Sequence, residues 1–285
     1  MILLAIALLA GCSNIKDSRE KPIITVTIEP LRYFTEAIAG DKFKVISMVP
    51  AGTSPETYDP TPLQMVSLSH SKAYMQIGYI GFELVNIDKL KANTPNLKYF
   101  DTSDGIELIH NQYSPHKHNI HHHGHIHGLI DPHIWNSTKN AEVITKNLCK
   151  ALCEIDSTNF EYYTNRCDSM LKVIEETDKE IRKTLAKANK SFLIYHPALT
   201  YFAQEYNLKQ ICIEKDGKEP SPSHLKELIN ECKESDTKII FMQKEFNTSN
   251  ALIIAEELKA SIIEINPLNY DWRNEMLKIA KSLKE

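Results

Sequence analysis

Residues from about Lys139 to Asn189 contain neither glycine nor proline, the two residues that most often break helices. The second half of this stretch has apolar or small residues at alternating spacings of three and four, a pattern that places them on one face of a helix. They are Tyr163, Cys167, Met170, Ile174, Thr177, Ile181 and Leu185. The remaining positions are largely charged. The segment therefore predicts one long amphipathic helix over residues 159–190.

Short β-rich runs alternate with helical segments on both sides of this helix. The strand candidates are IITVTI, FKVISMVP, AYMQIG and LKYFD before it, and FLIYH, QICIE, KIIFM and SIIEI after it. The helix candidates include PLRYFTEAIAG, closed by Gly40, and QMVSLSHSKAYM, begun by Pro62. This βα rhythm is typical of parallel sheets. We predict an α/β fold with two α/β lobes, residues 22–158 and 191–285, joined by the long connecting helix.

The chain opens with MILLAIALLAGCSN, whose apolar run is shorter than the roughly 20 residues that span a bilayer. The sequence Leu9-Ala10-Gly11-Cys12 resembles the lipobox of bacterial lipoproteins. We expect residues 1–11 to be a signal peptide, Cys12 to receive the lipid and residues 12–21 to be a tether. No Lys or Arg precedes the apolar run, so we also expect an upstream start codon. The predicted localisation is the extracytoplasmic side of the cell envelope, anchored to a membrane.

The net charge bears on nucleic-acid binding, and the number of cysteines bears on disulfide pairing. The formal net charge of −4 gives no support for nucleic-acid binding. If Cys12 is acylated, five cysteines remain, and an odd number leaves at least one unpaired within the chain. Cys149 and Cys153 are four residues apart on a predicted helix, a spacing that also suits a metal. The simpler interpretation is small buried residues or one disulfide.

Eight histidines are concentrated in the segment HNQYSPHKHNIHHHGHIHG, from residue 110 to 128. They are His110, His116, His118, His121, His122, His123, His125 and His127. Purification tags sit at termini, so the internal position argues against one. The segment has no apolar periodicity and is predicted to be a polar loop. Because neutral imidazole is a common metal ligand, we predict that this loop binds metal weakly.

Three further positions follow predicted strands or the histidine-rich loop, where open α/β sheets present binding residues. Glu56 lies in the turn after FKVISMVP, His133 lies in DPHIW, and His196 ends FLIYH. A lone histidine after a strand is more often structural, but the joint occurrence beside the histidine-rich loop favours a metal site. We interpret the other candidates as structural: His70, His224, Tyr58 and Trp135.

Several motifs in order resemble the zinc- and manganese-specific solute-binding lipoproteins of ABC transporters. They are VPAGTSPETYDPTP, DPHIWNS, IYHPALTYFAQEYNL, EKDGKEPSPSHL and INPL, and the resemblance covers essentially the whole mature chain. It implies two α/β lobes joined by a rigid helix, with the metal in the cleft between them. It also implies a binding protein that captures zinc and delivers it to an ABC permease. We expect a monomer.

The resemblance also implies metal ligands. DPHIW makes His133 the first-lobe ligand, and IYHPALTYF makes His196 the second-lobe ligand. Manganese-type members have a carboxylate at the His196 position, so histidine favours Zn²⁺ over Mn²⁺. The family usually reads PHxYxP where this chain has Glu56 in place of the histidine. A carboxylate is an acceptable zinc ligand, so Glu56 is retained.

The fourth ligand position stays open. The family's aspartate near the C-terminus corresponds to Asn266, whose amide oxygen is a weak zinc ligand. Asp271, Glu219 or a water molecule are the alternatives.

Three other functions compete with zinc carriage. A surface zinc store or adhesin would use the histidine-rich loop, and a manganese-specific carrier would use the same cleft. A metallohydrolase would need an open coordination position and a general base. The sequence has no HExxH motif and no recognisable Ser-His-Asp set, so we do not expect an enzyme.

Overall fold

The computed structural model describes residues 20–110, 130–214, 220–243 and 249–284. The strands are β1 Ile23–Val26, β2 Lys44–Ser47, β3 Ser71–Gln76, β4 Lys98–Asp101, β5 Ser191–Ile194, β6 Lys209–Cys212, β7 Ile239–Gln243 and β8 Ser261–Ile265. The helices are α1 Glu29–Ala39, α2 Pro62–Ser69, α3 Gly81–Asn93, α4 Thr138–Ile155, α5 Phe160–Leu185, α6 Thr200–Glu205, α7 Pro222–Glu234, α8 Ser249–Leu258 and α9 Trp272–Ser282. A short 3-10 helix, Ser157–Asn159, separates α4 from α5.

The strands form two four-stranded parallel sheets with the orders β2-β1-β3-β4 and β6-β5-β7-β8. The two orders are equivalent, since in each sheet the first strand of the lobe lies between the second and the third. Parallel neighbours need a crossover connection, and the helices supply it. The predicted fold class, two α/β lobes joined by a long helix, is confirmed.

The segment without glycine and proline forms two helices, α4 and α5. The predicted connecting helix corresponds to α5, which begins at Phe160 and ends at Leu185, five residues before the predicted end. The seven side chains of the predicted apolar face are all buried. Just before α5, the Asp156 carboxylate accepts hydrogen bonds from Thr158 Oγ1 at 2.5 Å and Asn159 Nδ2 at 2.7 Å. Such local bonds compete with helical ones and account for the break between α4 and α5.

Helix α2 is shorter than predicted. The predicted segment QMVSLSHSKAYM overlaps strand β3, and in the structure the helix ends at Ser69. Ser71 already pairs with Ile23 of β1, so the chain is extended there. The start agrees with the prediction, because Pro62 occupies the first helical turn and Thr61 caps it.

The last helix, α9, ties the end of the chain to the first lobe. It packs against α5, and the Trp272 ring lies 5.0 Å from the Phe34 ring of α1, centroid to centroid. The Trp272 Nε1 donates to the Trp135 carbonyl at 2.7 Å, and Trp135 Nε1 donates to the Pro267 carbonyl at 2.8 Å. Within the described ranges, no helix is both long and apolar enough to cross a bilayer.

Candidate metal-binding site

Two histidines from different lobes meet at the centre of the molecule. His133 lies between the first sheet and α4, and His196 follows β5. Their Nε2 atoms are 3.3 Å apart, and the ring centroids are 5.1 Å apart. A tetrahedral zinc ion with Zn–N bonds of about 2.0–2.1 Å holds two nitrogens roughly 3.3–3.4 Å apart. The two imidazoles therefore have the separation that one bound zinc ion requires.

A buried carboxylate orients His133. Asp131 Oδ1 accepts from the backbone N–H of His133 at 2.9 Å and lies 2.8 Å from its Nδ1. A proton on Nδ1 leaves Nε2 free to bind metal. Burial lowers the pKa of His133, but the carboxylates of Asp131, Glu56 and Glu214 together raise it more, so this pKa lies above its usual value. Burial raises the pKa of Asp131, yet the charge and hydrogen bonds of His133 bring it below its usual value.

The register of the second sheet positions His196. Ile194 of β5 pairs with Cys212 of β6, and Ile194 also pairs with Phe241 of β7. The residues two positions further along each strand therefore share the carboxyl edge of the sheet. They are His196, Glu214 and Gln243.

These neighbours contact His196 on two sides. Glu214 Oε2 lies 3.2 Å from the imidazole Nδ1. The Gln243 side chain accepts from the His196 backbone N–H at 3.1 Å and donates to its carbonyl at 3.3 Å. The imidazole is thus oriented by a carboxylate, as His133 is, while an amide fixes the backbone behind it.

Glu56 lines the same pocket as both histidines. Its Oε2 accepts from the backbone N–H of Gly81 at 3.2 Å, while its Oε1 is buried and has no hydrogen-bond partner among the described residues. A Cβ atom added to Gly81 would lie 2.7 Å from the carbonyl oxygen and from Oε2 of Glu56. Only glycine therefore permits this close approach. An unpartnered buried carboxylate oxygen is what a metal ligand looks like without its cation.

Asn266 also lines this pocket, whereas Asp271 does not. The Asn266 Oδ1 accepts from the backbone N–H of Leu268 at 3.1 Å, which occupies one of its lone pairs. Asp271 caps α9 and accepts from Asn274 Nδ2 at 2.7 Å. The structure thus brings Glu56, His133 and His196 together with Asn266. Glu219 lies outside the described residues.

The pocket has about 420 Å³ of empty space, part of it open to solvent. In the part of the chain that the structure describes, no three His, Cys, Asp or Glu side chains already form a metal-holding group. Two imidazole nitrogens are in position, and a carboxylate and an amide oxygen lie in the same pocket wall. The donor set is nitrogen-rich with one charged oxygen, which suits zinc better than the oxygen-seeking cations.

The other predicted positions lie elsewhere. His70 is exposed at the end of α2, and His224 lies in the first turn of α7, with its Nδ1 3.6 Å from Glu227 Oε2. Tyr58 donates to Gln64 at 2.5 Å. Trp135 packs its ring 5.3 Å from that of His133.

The histidine-rich segment enters the description only at its first residue. His110 is exposed and forms an antiparallel bridge with Ile130. Cys12 and the other seven histidines of the segment lie outside the described residues.

Four residues of the site were not identified from the sequence. They are Asp131, which orients His133, and Glu214, Gln243 and Tyr201. The Tyr201 hydroxyl, from α6 of the second lobe, donates to the Asp131 carbonyl at 2.9 Å and accepts from the Ile109 N–H at 3.0 Å. It thereby joins the second lobe to the chain on both sides of the histidine-rich segment.

Known proteins resemble this chain over nearly its full length. The sequence profile of a family described as zinc-uptake complex component A, periplasmic, matches residues 24–284. The high-affinity zinc uptake system protein ZnuA of Bacillus subtilis (strain 168) is 28% identical over 270 residues, covering 92% of this chain and 85% of that protein. The iron ABC transporter substrate-binding lipoprotein MtsA of Streptococcus pyogenes serotype M1 is 28% identical over 261 residues, covering 84% and 78%. A crystal structure of ZnuA superposes with a TM-score of 0.84 at 34% identity, covering 93% of this chain and 98% of that one.

Proposed function

The chain belongs to the family of periplasmic zinc-uptake components A, and on that premise we propose that it captures Zn²⁺ with His133 and His196 and delivers it to an ABC permease. The family's proteins are metal-binding components of ABC zinc uptake systems. Such a component binds its cargo and releases it unchanged. The residues of the cleft therefore act as ligands and as their supports, and we assign none of them a catalytic step.

The observation that carries this proposal is the 3.3 Å separation of the two Nε2 atoms. Two neutral imidazoles gain little from facing each other with unprotonated nitrogens, whereas a shared zinc ion binds both lone pairs. A carboxylate beside each Nδ1 keeps the proton on the far side of each ring and increases ligand basicity. The arrangement is preorganised for one cation.

Glu56 is the proposed third ligand, through its unpartnered Oε1. Its negative charge partly neutralises the zinc ion, which a histidine at the same position would not do. Asn266 is the weak fourth candidate, because its oxygen is already used by Leu268. A water molecule completing a four-coordinate shell is compatible with the open side of the pocket.

Zinc is proposed over manganese because two imidazoles dominate the donor set. The relative named for iron transport indicates that this fold serves other metals too, so specificity has to be measured. We further propose that the protein acts as a monomer outside the cytoplasmic membrane, held there by a lipid on Cys12. The histidine-rich segment would supply weak accessory zinc sites.

Zinc titration of the full chain against a competing chelator tests the site. His133→Ala and His196→Ala should each weaken tight binding at least ~10-fold, because losing even a supporting contact to a ligand costs that much. His70→Ala is the matched control, since that histidine is exposed and distant from the pocket. Unchanged tight affinity in both cleft variants would contradict the assignment.

Further variants test the roles of Glu56 and of the histidine-rich segment separately from those of the two histidines. Glu56→Gln should reduce zinc affinity, while Glu56→His should retain it. Deleting residues 110–127 should remove weak sites and leave one tight zinc ion per chain. If the deletion abolishes tight binding, the segment supplies a primary ligand. If total stoichiometry does not change, the segment binds no zinc.

A further inference from the structure

Away from the cleft, three cysteine side chains meet where α4 packs against α5. Cys149 and Cys153 lie on α4, and Cys167 lies on α5. Cys149 and Cys167 are buried, with 8% and 5% of their surface exposed. The other two cysteines of the described chain, Cys212 and Cys232, belong to the second lobe.

Cys149 and Cys167 face each other across this helix seam. The Cys149 sulfur lies 3.8 Å from the Tyr163 carbonyl oxygen, one helical turn before Cys167. Reciprocally, the Cys167 sulfur lies 3.9 Å from the Thr145 carbonyl oxygen, one turn before Cys149. Each thiol thus reaches the turn of the opposite helix that carries the other thiol. The two thiols therefore lie close enough for each to shift the pKa of the other.

This arrangement suits a disulfide between the helices. Facing residues of closely packed helices have Cα atoms roughly 5 Å apart, inside the span of about 4.4–6.8 Å that a disulfide needs. Cys153 is the competing partner, because its thiol is also within reach of Cys149. However, residues four apart on one helix have Cβ atoms about 5–6 Å apart, beyond the roughly 3.5–4.5 Å that a disulfide tolerates. The cross-helix pair is therefore favoured.

The contact between the two thiols also shifts their pKa values. The pKa of Cys167 is lowered by its contact with Cys149, and the pKa of Cys149 is raised by its contact with Cys167. The thiolate is the attacking form in disulfide formation. Burial raises the pKa of Cys153 to about 11, so this thiol stays protonated and does not take part in the exchange.

We propose that Cys149 and Cys167 form a disulfide that fastens α4 to α5. The inference rests on the extracytoplasmic location included in the proposed function, because disulfides persist outside the reducing cytoplasm. It does not depend on the zinc ligands. The oxidant is a protein or low-molecular-weight disulfide. The thiolate of one cysteine of the pair attacks one of the oxidant's sulfurs and expels a thiolate, and the deprotonated second cysteine then attacks the sulfur of the first in the mixed disulfide. The second thiolate leaves, so two cysteine thiols lose two protons and two electrons and the oxidant becomes two thiols.

The disulfide would link α4 covalently to α5, the long helix that connects the two lobes. The bond encloses the end of α4, the 3-10 helix and the first turns of α5. Because α5 also packs against α1 and α9, linking it to α4 limits the rotation of α5 relative to the first lobe. The bond lies outside the pocket that His133 and His196 line, so it should affect stability and leave metal affinity unchanged.

Peptide mapping tests the pairing. The full chain is produced in a bacterial cell envelope, purified without reductant, unfolded in N-ethylmaleimide and digested for mass spectrometry. We expect a peptide containing Cys149 linked to one containing Cys167, with Cys153 alkylated. Reduction should lower the midpoint of thermal unfolding by roughly 6–12 °C, the shift expected for opening a loop of this length in a chain of this size.

Variants make the test independent of folding yield. Cys149→Ser and Cys167→Ser should each lose the response of the melting midpoint to reduction. Cys153→Ser, the matched control on the same helix, should keep both the linked peptides and the response. The proposal is overturned if Cys149 and Cys167 are both alkylated, if Cys149 is linked to Cys153, or if a chelator instead of a reductant exposes the thiols. Zinc titration of the same samples reports on the proposed function separately, because its failure would leave the peptide map unchanged.

Discussion

Replacing Asp131 by asparagine separates the electrostatic support of His133 from its geometry. Asp131 Oδ1 accepts from both the backbone N–H and Nδ1 of His133, at 2.9 and 2.8 Å. An asparagine amide oxygen can accept the same two bonds. Its amino group would then face Thr200, a neighbour of the Asp131 carboxylate whose hydroxyl donates to the Pro197 carbonyl and can accept from an amide. The substitution therefore removes a negative charge and leaves the imidazole in place.

The expected cost follows from that single change. Loss of a carboxylate behind a metal-binding histidine weakens metal affinity by about 10–100-fold, or about 1.4–2.7 kcal/mol. Asp131 is buried, with 3% of its surface exposed, so solvent screens this charge little. We therefore expect a loss toward the upper end of that range.

The pH dependence gives a second, sharper readout. Asp131 raises the pKa of His133, so it favours a proton on the imidazole as well as zinc. Removing Asp131 lowers this pKa and relieves proton competition. The affinity ratio of native chain to Asp131→Asn should thus be largest near pH 8.5 and should shrink as the pH falls toward 6.

Chelator competition across this pH range measures both effects. Asp101→Asn is the control, because Asp101 ends β4 in the same lobe and its carboxylate bonds to Ser103. Equal zinc affinity of Asp131→Asn and the native chain at pH 8.5 would refute the reasoning. So would a ratio that grows as the pH falls, because protonation would then not be competing at His133.

Two further predictions concern substitutions in the first lobe, at Gly81 and at Glu83. Gly81→Ala would press a methyl group against Glu56, whose carbonyl and Oε2 lie 2.7 Å from that position, so zinc affinity should fall in chelator competition. Unchanged zinc affinity would show that this close approach does not position Glu56 for the metal. Burial raises the pKa of Glu83 from 4.5 to about 7, although Thr27, Ile77 and Gly78 all donate to its carboxylate. The folded chain therefore holds this proton more tightly than the unfolded chain, and its contribution to stability, about 3 kcal/mol, is present below pH 4.5 and lost as the pH rises to about 7. Glu83→Gln should flatten that part of the stability profile in urea unfolding, and an unchanged slope would show that Glu83 does not titrate there.

Local periodicity was enough to predict the helices and strands that pack on one face. The seven buried positions of α5 repeat at three and four, so the predicted and observed faces coincide. The break between α4 and α5 depends on a few polar contacts at Asp156, and no apolar repeat marks it. Similarly, α2 was predicted too long because SHSKAYM is compatible with a helix until β3 pairs with β1.

The cleft histidines stood out in the sequence because they occur together beside a histidine-rich segment and lie in motifs that resemble those of a metal-binding family. The groups that orient them did not, since their role depends on which chain segments become neighbours. Tyr201, for example, is an ordinary helix residue until its hydroxyl meets Ile109 and Asp131, which belong to the other lobe. Contacts of this kind follow from the packing of the two lobes, which no local pattern encodes.

Glu214 and Gln243 are an intermediate case, because a signal for them was present. The three segments FLIYH, QICIE and IIFMQ are apolar strands that each end on a polar residue. In a parallel sheet with β5 between β6 and β7, equal registers bring the three ends to one edge. Once that strand order is assumed, a histidine, a carboxylate and an amide must become neighbours. The carboxylate can orient the histidine for metal and the amide can fix its backbone, so His196 is placed by the register of the whole sheet and not by its own segment.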